Sequence, residues 1–163
     1  MLSAPELLAD HHNFGIFCCG QDAQDEWLVR RSRANQIRGA SRTYVVCEGQ
    51  NVIAYYALAS GVVTTQNASG KFKRNMPDPI PVALLGRLAV DLKWQEKGLG
   101  RALFQDAARR VVQAANLIGI RGILVHAISE EAKKFYLALG FEPSPLEPLT
   151  LMVTLGDLQS ILG

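Results

Sequence analysis

The chain has 163 residues, of which 48% are hydrophobic and 20% are charged, and its formal net charge at pH 7 is +2. This is the length and composition of one ordinary globular domain, so we interpret residues 1–163 as a single domain. A charge so close to zero excludes a uniformly basic nucleic-acid-binding protein, and no apolar stretch suggests a membrane span. The N-terminus lacks the basic and apolar segments of a signal peptide, which favours a cytoplasmic protein.

The first half of the chain predicts a helix, a β-hairpin and a long loop. Asp22 is a suitable cap for a helix that runs to about Arg33, with an acidic start and a basic end. Residues 43–47 are rich in β-branched and aromatic side chains, as strands are, and a Gly-Gln-Asn turn leads from them into a second strand. The remaining predictions for this half are a strand over 52–60, its extension over 61–66 and a proline-rich loop over 67–81.

The second half alternates strands with helices. Residues 82–91 form a nearly continuous apolar run, which is typical of a central strand covered on both faces. Apolar residues three or four apart predict a helix over 98–117. Further strands are predicted over 122–128 and 149–155, with a helix between them that Ser129 caps and Gly140 ends. This order of elements predicts an α/β domain with a mixed sheet.

The three cysteines, Cys18, Cys19 and Cys47, have neither a disulfide spacing nor the spacing of a zinc site. We predict that all three are reduced and buried, because free cysteine behaves as a small hydrophobe. No metal site is predicted.

The segment between the central strand and the long helix has the composition of an anion-binding turn. Two glycines allow a ligand to approach the backbone, and the first N–H groups of a helix have no partners within the helix. No Walker A string is present, and a Rossmann fingerprint needs a third glycine after the first strand. Two glycines alone also fit a helix start without a ligand. The residues concerned are Gln95, Glu96, Lys97, Gly98, Leu99, Gly100 and Arg101.

The residues around this segment resemble the GNAT acetyltransferases. Arg87-Leu88-Ala89-Val90-Asp91 followed by Gln95-x-x-Gly98-x-Gly100 is similar to motif A of that family, and Ala132 to Phe141 is similar to motif B. The resemblance implies the GNAT acyl-CoA N-acyltransferase fold, a central mixed β-sheet flanked by helices. It also implies that acetyl-CoA is the acetyl donor, with its pantetheine arm on Leu88, Ala89 and Val90 and its pyrophosphate on residues 95–101.

Tyr136, in the motif B segment, is the candidate catalytic residue. A phenol is protonated at neutral pH and is able to donate its proton to a departing thiolate. The resemblance implies this role for the tyrosine at this position, whereas packing of the helix is the structural alternative. The sequence does not identify a general base. A dedicated base is not required by the chemistry, because a free α-amine is partly neutral at cellular pH. The candidates are Glu48, Asp91, His126, Glu130 and Glu131. Because His126 lies inside a predicted strand, a structural role is favoured over a catalytic one for this residue.

Two basic clusters suggest an oriented patch for a phosphate backbone, although such clusters are also common on solvated surfaces. The basic residues concerned are Arg30, Arg31, Arg33 and Arg42 in the first cluster and Lys71, Lys73 and Arg74 in the second.

Segments along nearly the whole chain, among them Asp25 to Leu28, Ala40 to Val45 and Leu84 to Asp91, resemble one GNAT branch. Its members are toxins of type II toxin–antitoxin modules that acetylate aminoacyl-tRNA. The resemblance implies acetylation of the α-amine on a charged tRNA, which inhibits translation. It further implies a ribbon-helix-helix antitoxin, a homodimer and no membrane partner. On this resemblance, the seven residues of the two basic clusters are predicted to bind the tRNA backbone on either side of the acetyl site.

Two other functions stay open at this point. One is a GNAT enzyme that acetylates a small amine or a protein N-terminus, which would not depend on tRNA. The other is a non-catalytic acyl-CoA-binding interaction module, against which the intact Tyr136 counts.

Overall fold

The computed structural model describes all residues, Met1–Gly163. Its strands, in chain order, are β1 (Glu6–Leu7), β2 (Arg42–Glu48), β3 (Asn51–Val63), β4 (Ile80–Val90), β5 (Gly122–His126), β6 (Glu142–Pro143) and β7 (Thr150–Thr154). Its helices are α1 (Asp22–Arg30), α2 (Ser32–Ile37), α3 (Gly70–Lys73), α4 (Leu99–Ala114), α5 (Glu130–Ala138) and α6 (Leu155–Leu162). A single 3₁₀ turn, Leu92–Trp94, follows β4.

The seven strands form one mixed sheet in the order β1-β2-β3-β4-β5-β7-β6. β2 and β3 form the predicted antiparallel hairpin, and β4 and β5 are parallel, as expected when a helix such as α4 connects two strands. β5 pairs with β7 in the antiparallel sense. The predicted α/β fold with a mixed sheet is therefore confirmed.

The chain divides into two compact units. Unit 1 contains Met1–Ala59 and Gly86–Ala107, and unit 2 contains Ser60–Leu85 and Ala108–Gly163. The prediction of a single domain over residues 1–163 stays a prediction.

Unit 1 is built around a buried aromatic cluster. Tyr55 on β3 is fully buried, with Phe17 in edge contact at 5.6 Å between ring centroids and Trp27 stacked at 6.0 Å. Its hydroxyl donates to the Gln24 carbonyl at 2.7 Å, which satisfies the one polar atom of the ring. This cluster fixes α1 on the sheet.

Unit 2 is organised around Phe72, which is 1% exposed. It belongs to an apolar cluster that includes Ile80 on β4, Leu124 on β5 and Met152 on β7. Gly122, at the start of β5, is required by close packing, because a Cβ atom there would lie 1.9 Å from the Val153 carbonyl oxygen. The cluster includes Leu124 and so fixes β5, the strand that ends at the candidate residue His126.

The predicted helix from Asp22 to about Arg33 is wrong in its boundaries. The Ser32 hydroxyl donates to the Leu28 carbonyl one turn earlier, an arrangement that bends helices, and the chain breaks at Arg31 into α1 and α2. Asp22 is the first helical residue, and Gln21 occupies the cap position without a side-chain cap.

Residues 67–81, which were predicted as loop, contain the short helix α3. Ser69 caps it by accepting from the Phe72 N–H at 3.4 Å, and burial of the Phe72 ring stabilises the turn. The apolar tail is the helix α6, which Thr154 caps. The two-residue strands β1 and β6 were not predicted.

The cysteine prediction is correct for burial at two of the three positions. Cys19 and Cys47 are buried and free, whereas Cys18 is free but exposed. Burial raises the pKa of Cys19 to about 12 and the pKa of Cys47 to about 11. None of the helices combines the length and the apolar character that crossing a bilayer requires.

Candidate active site

The turn between β4 and α4 is held by side-chain hydrogen bonds within unit 1. Gln95 Nε2 donates to the carbonyl oxygens of Val90 at 2.8 Å and Cys19 at 2.9 Å. The Asp91 carboxylate accepts from the backbone N–H groups of Cys18 and Lys93, each at 3.0 Å. Both ends of the turn are therefore fixed before any ligand binds.

The backbone of this turn takes two left-handed conformations. Glu96 has φ +63° and Gly98 has φ +83°, a region that glycine adopts without steric cost. The Gly98 carbonyl accepts the first helical hydrogen bond, from the Ala102 N–H at 3.1 Å. The N–H groups of Leu99, Gly100 and Arg101 therefore have no acceptor within α4.

These features fit the pyrophosphate of acetyl-CoA. Residues 95–98 and Arg101 are exposed, so an anion has access to the open N–H groups at the positive end of the α4 dipole. Of the residues predicted to bind the cofactor, Gln95 supports the turn, and Leu99, Gly100 and Arg101 have open backbone N–H groups. Their role as cofactor contacts stays a prediction. The exposed side chains of Glu96 and Lys97 belong to the same turn.

The predicted pantetheine-binding residues lie in the last part of β4. The last pair between β4 and β5 is Leu84↔Leu124, and β4 continues beyond it to Val90. Leu88 and Val90 are partly exposed, whereas Ala89 is buried. Their role as cofactor contacts stays a prediction.

Tyr136 lies on α5, in unit 2. Ser129 caps this helix by accepting from the Ala132 N–H at 3.1 Å, as predicted. The Tyr136 ring is 8% exposed and contacts the rings of Phe135 and Phe141 at centroid distances of 5.1 and 5.2 Å. Burial raises the pKa of Tyr136 above the ordinary value of a phenol, so the hydroxyl is protonated at neutral pH. This is the protonation state that a general acid needs.

The arginines of the first basic cluster differ in whether their guanidinium groups contact other parts of the protein. Arg30 and Arg31 are exposed. The Arg33 guanidinium donates to the His12 carbonyl at 2.6 Å and lies 4.2 Å from the Phe14 ring centroid, so it holds the N-terminal segment. Arg42 is exposed and donates to the Gln36 carbonyl at 3.0 Å.

In the second cluster, Lys73 and Arg74 are exposed, and Lys71 forms an ion pair with Asp157 at 2.7 Å. Arg33, Arg42 and Lys71 therefore have contacts within the protein that the sequence did not indicate. A role in tRNA binding stays a prediction for all seven residues.

Among the candidate bases, Asp91 is 6% exposed and both of its carboxylate oxygens accept backbone N–H groups, which makes it a structural anchor. Glu48, Glu130 and Glu131 are exposed. His126 ends β5 and is exposed, and its Nδ1 lies 3.0 Å from the Thr150 hydroxyl. Among these candidates, only His126 has an ionisable side chain that is exposed and also held in place by a hydrogen bond.

Arg87 has contacts that its place in motif A did not indicate. Its guanidinium donates to the Gln24 side-chain oxygen at 2.8 Å and lies 5.4 Å from the Trp27 ring centroid. Gln24 is buried, and only the periodicity of α1 signals in the sequence that it faces inward.

One group of side chains has the types of atom that bind metals. Ligand atoms of Glu6, His11 and His12 lie within 4.8 Å of one another. However, His12 Nδ1 accepts from the Ala9 N–H at 2.8 Å, so in the neutral ring Nε2 carries the proton and donates to Glu6 at 2.7 Å. Neither nitrogen of His12 then has a lone pair to offer a cation, and the cluster does not fit a metal.

Comparison with known proteins identifies the family. The acetyltransferase (GNAT) domain family matches residues 39–143, which include β2 to β6 and both motif segments. The chain belongs to the GNAT acetyltransferases. The family and fold predicted from the motif segments are thus confirmed.

One relative and two solved structures of a second protein are similar to the chain over nearly their whole length. A tRNA-acetylating toxin of Mycobacterium tuberculosis is 47% identical over 99% of this chain and 97% of its own. The structure of AtaT complexed with acetyl-methionyl-tRNAfMet has a TM-score of 0.91 at 27% identity and covers 100% of both chains. A tyrosine-to-phenylalanine mutant of the AtaT toxin, bound to the C-terminus of the antitoxin AtaR and acetyl-CoA, has a TM-score of 0.83 at 27% identity. That similarity covers 99% of this chain and 97% of the mutant chain.

Proposed function

We propose that this protein is the toxin of a type II toxin–antitoxin module and transfers an acetyl group from acetyl-CoA to the α-amine of an aminoacyl-tRNA. The observation that carries this proposal is the 47% identity, over 99% of the chain, with a tRNA-acetylating toxin. Acetylation converts the amine nucleophile into an amide, which stops the amino acid from accepting a growing peptide. Translation is inhibited as a result.

The residues of the β4–α4 turn would hold the acetyl donor. Acetyl-CoA supplies a thioester, whose acetyl carbon is open to attack by an amine. The N–H groups of Leu99, Gly100 and Arg101 bind the pyrophosphate, while Gln95 keeps the turn in shape. The backbone of Leu88 to Val90 binds the pantetheine arm. These assignments rest on the open donors of α4 and on motif A.

Tyr136 would act as the general acid of the reaction. As the bond between the acetyl carbon and sulfur breaks, the phenol donates its proton to the sulfur, which leaves as a thiol. The burial that raises the pKa of Tyr136 keeps this proton in place between turnovers.

The tRNA would bind mainly through exposed basic side chains. Arg30, Arg31, Lys73 and Arg74 are exposed and offer their charges to phosphate groups, whereas Arg33, Arg42 and Lys71 already have partners in the protein. As further parts of the proposal, the toxin is a cytoplasmic homodimer and its antitoxin carries a ribbon-helix-helix domain.

Transfer of radiolabelled acetyl to charged and uncharged tRNA tests the reaction and the general acid together. We expect label on charged tRNA only, with kcat reduced by about 10²-fold or more in the Tyr136→Phe variant. Calorimetric affinity for acetyl-CoA should be nearly equal in the two proteins, which controls for folding. Label on small amines or protein N-termini, with none on charged tRNA, would refute the proposed substrate. Equal turnover in both proteins would refute the role of Tyr136.

A further inference from the structure

His126 stands at the end of β5, where this strand parts from β4. The last pair between the two parallel strands, Leu84↔Leu124, precedes His126 by two residues. On its other side β5 remains paired with β7, and Thr150 lies directly opposite His126. His126 is therefore anchored on the β7 side, and on the other side it lies beyond the last residue pair between β5 and β4.

A chain of hydrogen bonds sets the tautomer of His126. Its Nδ1 lies 3.0 Å from Thr150 Oγ1, and this hydroxyl lies 3.2 Å from Oε2 of Glu147. A carboxylate only accepts hydrogen bonds, so the single hydroxyl proton of Thr150 points to Glu147, and Thr150 accepts from His126. Nδ1 therefore carries the proton, and in the neutral ring Nε2 has the lone pair.

Thr150 and Glu147, which position the His126 ring, are held by hydrogen bonds of the turn that precedes β7. Thr150 is 5% exposed, and its N–H donates to the Glu147 carbonyl at 2.9 Å. The Ser144 hydroxyl accepts from the N–H groups of Leu146 and Glu147 at 3.2 and 3.3 Å. His126 itself is exposed, and none of its hydrogen bonds in the protein involves Nε2. An oriented ring with a free lone pair is the arrangement of a base whose second nitrogen is positioned by the protein.

No other ionisable group of unit 2 forms an ion pair with His126. The charged side chains on the elements next to it in this unit are Glu147 before β7, Glu130, Glu131, Lys133 and Lys134 on α5, and Asp157 on α6, which pairs with Lys71.

We propose that His126 is the general base of the acetyl transfer and that Thr150 and Glu147 are its positioning residues. This inference rests on the function proposed above, because its substrate is the α-amine of a charged tRNA. Nε2 of His126 takes the proton, and the hydroxyl of Thr150, held by the Glu147 carboxylate, keeps the ring in the required tautomer.

The proton balance of the step is complete. The amine nitrogen forms a bond to the acetyl carbon while Nε2 of His126 takes a proton from that nitrogen. The bond between carbon and sulfur breaks, and the sulfur keeps the electron pair and receives the Tyr136 proton. The imidazolium then returns its proton to water and the phenolate of Tyr136 takes one back, so that amine and thioester become amide and thiol.

Kinetics of the purified full chain with charged tRNA and acetyl-CoA test the base. For His126→Ala we expect kcat to fall by about 10²-fold, the lower end of the effect of a positioned base, because part of the α-amine is already neutral. KM for acetyl-CoA should stay within about twofold, and added imidazole should restore part of the lost kcat. The matched control is His11→Ala, which removes another exposed histidine and should have the kcat of the wild type.

Glu147→Gln tests the positioning residues without touching the imidazole. An amide in place of the carboxylate weakens the orientation of the Thr150 hydroxyl, so we expect a loss of kcat of about 10-fold. Imidazole should not restore it, since the site is still filled by His126. This exposed position also provides the test if His126→Ala fails to fold.

The outcomes separate the inference from the function on which it rests. Wild-type kcat in both His126→Ala and Glu147→Gln, with charged tRNA still acetylated, overturns the base and leaves the function intact. If His126→Ala loses activity that imidazole does not restore and its KM for acetyl-CoA rises, His126 contributes to binding. That result also overturns its role as general base. If the wild type puts no acetyl on charged tRNA, both proposals fail.

Discussion

At the scale of single residues, the proton on Tyr136 is the feature that most directly links the structure to catalysis. The ring is nearly enclosed by aromatic neighbours, so ionisation would place a charge where water is excluded. A phenol in this setting stays neutral at pH values at which an ordinary phenol begins to ionise, because burial raises its pKa. The acid would therefore not limit the pH range of the enzyme.

The raised pKa of Tyr136 predicts how this residue titrates. Because the folded-state pKa lies above the unfolded value of about 10, the stabilisation is complete below that value and is lost as pH rises through the folded pKa. In an absorbance titration of phenolate, we expect the difference between wild type and Tyr136→Phe to appear only together with alkaline unfolding. Circular dichroism follows the unfolding, and a Tyr136 signal at an ordinary phenol pKa in the folded protein would contradict the expectation.

Arg33 has structural contacts that its place in a basic cluster of the sequence does not indicate. In the sequence it is one of several arginines near a basic patch, but its guanidinium binds the His12 carbonyl and covers the Phe14 ring. A charged hydrogen bond of this kind contributes to stability whether or not it also faces a ligand.

We expect Arg33→Ala to lower the free energy of unfolding by about 1–3 kcal/mol, because a charge-assisted hydrogen bond and a ring contact are lost. Urea unfolding measures this change. Arg30→Ala is the matched control, since Arg30 is exposed and its replacement should leave the unfolding midpoint within error. Equal midpoints for the two variants would mean that Arg33 does not hold the N-terminal segment.

At the scale of elements, the start of α4 depends on the backbone more than on side chains. Gly98 has a positive φ, and a Cβ atom added there would meet nothing within 4 Å. Any effect of a small side chain at this position therefore comes from the backbone conformation and not from a clash.

Gly98→Ala should cost about 1–2 kcal/mol of stability and also weaken acetyl-CoA binding, because the open N–H groups of α4 shift with the turn. Gly98→Asp should weaken binding further, since it adds a negative charge beside the pyrophosphate. Gly39→Ala is a close control: Gly39 has φ +79° and equally open space, but it lies outside the turn. Calorimetry should show wild-type affinity for Gly39→Ala, and a loss as large as that of Gly98→Ala would argue against the turn as the pyrophosphate site.

Elements with a regular apolar pattern were predictable from the sequence, and those that depend on distant contacts were not. The runs that became β2, β3 and β4 are rich in apolar, β-branched or aromatic residues, and α4 has apolar residues three or four apart; the predicted boundaries agree within a few residues. By contrast, the two residues of β1 are strand only because Glu6 pairs with Val45. α3 forms because the Phe72 ring packs into an apolar cluster with side chains of four strands, β3, β4, β5 and β7.

The same distinction applies to the candidate site. The turn at Gly98 and the position of Tyr136 carry local motifs and could be predicted. The link from His126 through Thr150 to Glu147 could not, because it joins residues 24 positions apart across two antiparallel strands. Cross-strand contacts of this kind depend on the register of β5 and β7, and no hairpin turn joins these two strands to fix it.

At the scale of the whole molecule, the charge is nearly balanced but unevenly distributed. A net charge of +2 gives little general attraction to RNA, so binding must depend on where the exposed basic residues lie. The proposed contacts belong to both compact units, Arg30 and Arg31 to one and Lys73 and Arg74 to the other.

The salt dependence of tRNA binding tests this distribution. We expect the double replacement of Arg30 and Arg31 by Ala to reduce the slope of log K against log salt by about 1–2, because two phosphate contacts no longer release counterions. The matched control replaces Arg109 and Lys134, which are exposed and lie outside both clusters, and it removes the same total charge. Equal slopes in the two double variants would show that only net charge matters and would contradict a located patch.

The interleaving of the two units along the chain has a consequence for the order of synthesis. Each unit consists of two separate segments of the chain. Unit 1 is complete only at Ala107, and unit 2 includes residues up to Gly163. A ribosome that adds about 5–20 residues per second must therefore reach Ala107 before the first unit has all of its parts. Nascent chains shorter than this hold the Gln95 turn without the rest of α4, or β4 without β5. Such chains also lack Tyr136, the proposed general acid, so synthesis of the first unit alone does not give an active toxin.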